Sequence, residues 1–125
     1  MQCMVPALDR TSLLLKGTLD LCVLAVIDSE PTYGYEVQTR LDARGLRVAD
    51  GTVYPLLARL SRLQLLTSTS RPSPTGPPRK YYSLTPSGRE ALHRGTAQWR
   101  ELSTAITAVL PAPAAAAPMT EGTTP

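Results

Sequence analysis

The chain contains no phenylalanine, one tryptophan, one histidine and two cysteines. Without Phe, the core must be filled by Leu, Val, Ile and Tyr. A hydrophobic content of 42% over 125 residues suffices for one small core, hence one domain. Cys3 and Cys22 lie outside any CxxC or Cys/His cluster, so neither zinc nor a disulfide scaffold is supported. Cys22 sits in an apolar run and is expected to be a small buried hydrophobe. This places the chain in the reducing cytoplasm. His93 has no Cys beside it and no triad arrangement. It forms a single E-x-x-H with Glu90, a spacing that metal-binding bundles use in several copies, so a surface pair is the expectation. No glycine-rich phosphate loop is present. No catalytic residue, metal or cofactor is therefore expected, and the chain is not read as an enzyme. The longest apolar run, Leu19–Ile27, is interrupted by Asp20 and is too short to span a bilayer. It also lacks the flanks of a signal peptide.

The most informative absence is of negative charge. The chain as a whole is mildly basic, with net charge +3. Between Gly51 and Arg89 there is no Asp or Glu, against Arg59, Arg62, Arg71, Arg79, Lys80 and Arg89. A local basic stretch is the footprint expected of a surface that meets nucleic-acid phosphates.

Inside that stretch, DGTVYPLLARLSR (Asp50 to Arg62) carries Val53, Leu56, Leu57, Leu60 and then Leu63 at the spacing of one helical face. The opposite face carries Thr52, Tyr54, Arg59, Ser61 and Arg62. Pro55 is tolerated only in a first helical turn, so the helix must begin near Gly51 or Thr52.

Upstream, residues 14–29 read as one helix, with Leu15, Leu19, Cys22, Val23, Val26 and Ile27 on one face and Gly17 as a weak spot. Pro31 ends it. Thr32 is expected to cap a second helix with Tyr33, Val37 and Leu41 inward, a Glu36–Arg40 pair, and Gly45 as C-cap. Three helices on short connections make a helix-turn-helix with the third as reader.

After Leu63, LLTSTS and RKYYSL read as two strands around an eight-residue Pro/Gly loop (71–78) with a mobile tip. That hairpin is the wing of a winged helix-turn-helix. Tyr81 and Tyr82 alternate, so one belongs in the core. Thr85-Pro86 then opens a fourth helix to about Leu110. Gly88, Leu92, Gly95, Trp99, Leu102, Ile106 and Val109 recur at 4, 3, 4, 3, 4, 3. This is a heptad seam, predicting that the helix pairs with a copy of itself. The expected organisation is an arm (1–13), a winged helix-turn-helix domain (14–84), a dimerisation helix (85–110) and a disordered, proline-broken tail (111–125). The fold class is mainly α, with a two-stranded wing and a long C-terminal helix.

On this reading double-stranded DNA and a second copy are the partners. Tyr35 and the Gly34 N–H, at the start of the second helix, are candidates to hold a phosphate. Thr52 and Tyr54 lead the reading helix, Arg59 and Arg62 follow, and Arg79 and Lys80 lie on the wing. The alternative is a winged-helix protein–protein adaptor, against which the acid-free stretch argues.

Four segments, GTLDLCVLAVI, YGYEV, DGTVYPLLARL and PRKYYSLTPSGRE, stand in an order that resembles the PadR family of transcriptional regulators. The resemblance covers about Leu14 to Leu110 and, with one helix after the wing, is to the small subfamily. It implies a homodimeric winged-helix DNA binder that represses a nearby gene and is released by a small, often aromatic, ligand. It also implies that Trp99 stacks against a planar compound at the dimer interface, whose other residues would be Leu92, Gly95, Leu102, Ile106 and Val109. Packing alone is the alternative for Trp99. Where the family usually has Gly before the wing, this chain has Gln64.

Overall fold

The structure is a computed structural model that describes residues 10–113. The expected arm (1–13) and tail (111–125) therefore fall largely outside the described residues. Five helices and three strands follow in order: α1 (Arg10–Lys16), α2 (Leu19–Ser29), β1 (Thr32–Tyr33), α3 (Gly34–Ala43), α4 (Val53–Arg62), β2 (Leu66–Ser73), β3 (Gly76–Leu84) and α5 (Pro86–Val109). The chain divides within α5. Residues up to Gly95 form one compact unit and those from Thr96 a second.

The core of the first unit is aliphatic, as a chain without Phe requires. Val23 and Ile27 of α2, Val37 and Leu41 of α3, and Val53, Leu57 and Leu60 of α4 are almost wholly buried, with Leu66, Tyr82 and Leu84 closing it from the sheet. Burying each such side chain stabilises by roughly 1.5–3 kcal/mol. Leu56 is only partly buried. Leu63, expected to extend the α4 stripe, is exposed, because the helix has already ended at Arg62. Cys22 is half-buried rather than fully enclosed. Burial, followed by the Asp20 charge, pushes its thiol pKa up.

Three local expectations change. The helix read over 14–29 is two helices, broken at Gly17-Thr18. Gly17 disfavours helix by about 1 kcal/mol relative to Ala, so a break there costs little. The Thr18 hydroxyl bonds back to the Leu14 carbonyl at 3.2 Å. Thr32 does not cap α3. Thr32 and Tyr33 form a third strand, pairing antiparallel with Tyr82 and Tyr81 in a sheet of order β1-β3-β2. The Thr32 hydroxyl instead donates to the Glu36 carboxylate at 2.5 Å. The wing, finally, has no eight-residue loop. β2 and β3 stay paired from Leu66↔Leu84 out to Ser73↔Gly76, with a register shift between Arg71 and Ser73. Only Pro74 and Thr75 remain as the turn. Proline breaks a central strand by removing a ladder donor. Here Pro72, Pro77 and Pro78 lie beyond the two residues that β1 covers, where β3 has a neighbour on one side only.

Other expectations hold. Gly45 closes α3 at φ +90°, with the Leu46 N–H reaching the Leu41 carbonyl and the Gly45 N–H the Asp42 carbonyl. That is a Schellman cap. α4 ends the same way: the Leu65 N–H bonds the Leu60 carbonyl, the Gln64 N–H bonds the Ser61 carbonyl, and Gln64 sits at φ +61°. The turn usual for Gly is thus retained with a side chain in place. Thr85 caps α5, its hydroxyl accepting from the Gly88 N–H at 2.9 Å and donating to the Gln64 carbonyl at 2.7 Å. Such a cap contributes about 1 kcal/mol.

The first half of the α5 seam is occupied within the chain. Gly88 and Leu92 are buried. A Cβ on Gly88 would stand 2.0 Å from the Leu65 carbonyl oxygen, and one on Gly95 would stand 2.7 Å from the Leu21 side chain. Leu92 and Gly95 therefore pack on their own domain, where a domain-length reading of the seam gave them to a partner. The second half is bare: Trp99, Leu102, Ile106 and Val109 are 44–84% exposed.

Candidate nucleic-acid interface

Helix α4 is set by its two ends. Gly51 takes φ +82°, a turn that favours glycine, and releases the chain into the helix at Thr52. Gln38 of α3 holds the preceding connection through the Asp50 carboxylate at 3.3 Å and the Val48 carbonyl at 3.4 Å. With Val53, Leu57 and Leu60 inward, geometry leaves Tyr54, Arg59 and Arg62 exposed, with Thr52 half-buried at the N-cap. The Thr52 side chain makes no capping bond, so the first backbone N–H groups of α4 remain open.

Tyr54 stands on α4, but its position is decided by α3. A Cβ on Gly34 would lie 2.3 Å from a carbon of the Tyr54 ring. Only glycine allows this approach, so Gly34 serves first to seat Tyr54. Its neighbour Tyr35 is 68% exposed at the first turn of α3. No side chain caps that helix either.

On the ribbon, alternation sorts the side chains. Tyr82 faces the core, and Lys80, two residues before it, shares that face beyond the core's edge. Arg79 and Tyr81 face the other way. There the Arg79 guanidinium lies 4.4 Å over the Tyr33 ring, Tyr33 meets Tyr81 edge-on at 5.3 Å, and Arg71 lies 4.5 Å over Tyr81. The result is a cation–ring–ring–cation ladder across all three strands, each cation–ring contact contributing roughly 0.5–1 kcal/mol at a partly exposed site. It holds Arg71 and Arg79 in fixed places without any carboxylate, so their charge stays uncompensated. Tyr33 and Tyr81 were not among the expected site residues, and Arg71 was expected only as one cation of the acid-free basic stretch. Once Arg71 was placed in a loop, its cross-strand position opposite Arg79 could not be read.

The structure brings Gly34, Tyr54, Arg79 and Lys80 together as walls of one groove of about 410 Å³ between the start of α3, α4 and the ribbon. No Asp or Glu lines it. Arg59 lies elsewhere. With Thr52 and Leu56 it borders a second groove of about 350 Å³, toward α1 and the α3–α4 connection, where Arg47 joins it. Among the described residues no cluster of three or more His, Cys, Asp or Glu could hold a metal ion. Glu90 pairs with Arg94 at 2.8 Å. No described helix is long and apolar enough to cross a membrane.

Helices α2, α3 and α4 with a β-ribbon behind them are a winged helix-turn-helix, the architecture of a class of DNA-binding proteins. Residues 23–94 match the model of the PadR-like family of transcriptional regulators, and the chain belongs to that family. The family is one of transcriptional regulators, not of enzymes. Among solved structures, a Streptococcus transcriptional regulator is 42% identical with TM-score 0.71, covering 77% of this chain and 95% of its own. A PadR-like transcriptional regulator from Bacillus cereus is 38% identical with TM-score 0.72, covering 81% and 99%. Bacillus subtilis PadR in complex with operator DNA is similar in fold, at 22% identity and TM-score 0.58, over 62% of this chain and 46% of its own.

Proposed function

We propose that this PadR-family chain is a dimeric repressor that binds operator DNA through α4 and the wing and is released by a planar aromatic molecule at Trp99. The observation that carries the DNA-binding part is the acid-free groove that joins the exposed start of α4 to the ribbon cations. The operator complex of the Bacillus subtilis relative supports the same use of the fold. α4 enters the major groove, with Thr52 and Tyr54 leading and Arg59 and Arg62 behind. Tyr35 and the Gly34 N–H meet a phosphate, and Arg79 and Lys80 meet the flanking backbone. Phosphate contacts supply affinity and register, while base edges supply specificity.

Dimerisation is assigned to the bare half of the α5 seam, from Trp99 to Val109. A stripe of large apolar side chains along one helix face is what a second copy buries. Trp99, 49% exposed in the single chain, offers its ring for stacking at that interface. Genomic fragments captured by the purified protein and sequenced test the reading. The expected motif is two-fold symmetric with half-sites roughly 34–36 Å apart. Absence of any enriched fragment would make the chain a winged-helix adaptor instead. For the effector, planar cationic dyes are expected to quench the emission of Trp99, the only tryptophan. A panel that leaves emission unchanged while DNA binding is intact gives Trp99 a packing role alone.

A further inference from the structure

Tyr82 is placed by its strand as a core residue, 8% exposed, yet its side chain also lines the groove between α3, α4 and the ribbon. Its hydroxyl has no hydrogen-bond partner among the described residues. The ring is buried, while the hydroxyl end opens to the groove, where water or a ligand can meet it. Several groups of the same groove can donate. Tyr54 brings a second hydroxyl without a protein partner, Lys80 brings an ammonium from the same strand face, and the uncapped start of α3 brings backbone N–H groups at Gly34.

We infer that these groups form one built subsite for a single phosphate of the DNA backbone, in which the Tyr82 hydroxyl is a direct donor. The inference rests on the DNA-binding reading above and adds a residue to it. Phosphate is the fitting occupant because its oxygens accept from several directions at once and because Lys80, with Arg79 in the same groove, supplies opposing charge. A neutral aromatic guest would satisfy neither. A phenol is protonated at neutral pH, and burial, then the neighbouring Tyr54, push the Tyr82 pKa further up, so it is a donor there. The Tyr54 ring lies close against Gly34, which places it beside the start of α3.

The test compares wild type with Tyr82→Phe, which keeps the ring in the core and removes only the hydroxyl. On an enriched genomic fragment the variant is expected to bind about tenfold more weakly, the magnitude of a lost hydrogen bond to a charged group. The loss should be equal across related sequences, and the melting temperature should not fall. The decisive arm uses duplexes carrying one neutral methylphosphonate at a time. At one phosphate per half-site the difference between wild type and Tyr82→Phe should vanish, while both still lose affinity through Lys80. Tyr54→Phe should lose its effect at that same position, and it carries the comparison alone if Tyr82→Phe proves unstable. Equal binding by wild type and Tyr82→Phe overturns the subsite while leaving the DNA-binding reading intact. So does a difference that persists at every substituted phosphate. Failure of wild type on every fragment overturns the reading and the subsite together.

Discussion

Along α5 a single heptad stripe serves two ends. Gly88 and Leu92 are buried, and Gly95 crosses close to Leu21, all within the winged-helix unit. From Trp99 on, the same stripe is exposed. The residue sizes differ accordingly. Where the helix lies on its own domain the seam uses glycine, so that backbone can meet the Leu65 carbonyl directly. From Trp99 on the seam uses Trp, Leu, Ile and Val. A repeat of 4 and 3 therefore identifies a buried face but not what buries it. Gly88 and Gly95 mark where the helix backbone comes close to the rest of its own unit.

That contrast can be broken at either end. The largest effect is expected for Gly88→Ala, whose new Cβ would collide with backbone that has no side-chain freedom to yield. A loss of about 3 kcal/mol or more in urea denaturation is expected. Tolerance of this change would mean that α5 is not tightly seated. Leu92→Ala should cost about 2–4 kcal/mol through the cavity it leaves. Gln64→Gly, in the turn that Thr85 ties to the start of α5, should instead stabilise by about 0.5–1 kcal/mol, because φ +61° is strained for any side chain but free for glycine. Leu102→Ala should have the smallest effect on unfolding of the single chain, within about 0.5 kcal/mol, as for other exposed positions. It should nevertheless shift self-association to higher concentration in sedimentation experiments. If Leu102→Ala destabilised the chain as much as Leu92→Ala with no change in association, the two halves of the seam would not differ as described.

Much of this architecture is legible from residue order alone. Pro55 limits where α4 starts, Gly45 ends α3, Thr85-Pro86 opens α5, and the YY pair divides into Tyr82 inward and Tyr81 outward. What is not legible has physical causes. β1 is two residues long, too short to show a period, and exists only because β3 is there to pair with it. The break at Gly17 depends on where α2 packs, and periodicity runs straight through it. Only the outer part of the ribbon, residues 71–78, was hidden, because proline argues against strands in general, whereas its cost depends on which side of the strand has a neighbour. The Arg71–Tyr81–Tyr33–Arg79 ladder depends on the same pairing, because it is made entirely of cross-strand register. The groove hydroxyl of Tyr82 was out of reach for a different reason. Assigning its ring to the core says nothing about where the far end of the ring emerges.

The central claim is that the acid-free face of α4 and the ribbon engages DNA phosphates. The most direct measurement is the affinity for an enriched fragment as salt is raised. Each neutralised phosphate contributes a slope of about −0.9 in log K against log salt. Contacts from Lys80, Arg79, Arg59 and Arg62 on two protomers predict a steep decline, which becomes shallower by about one or two when Lys80→Ala removes one contact from each half-site. A flat dependence, unchanged by Lys80→Ala, would contradict the account.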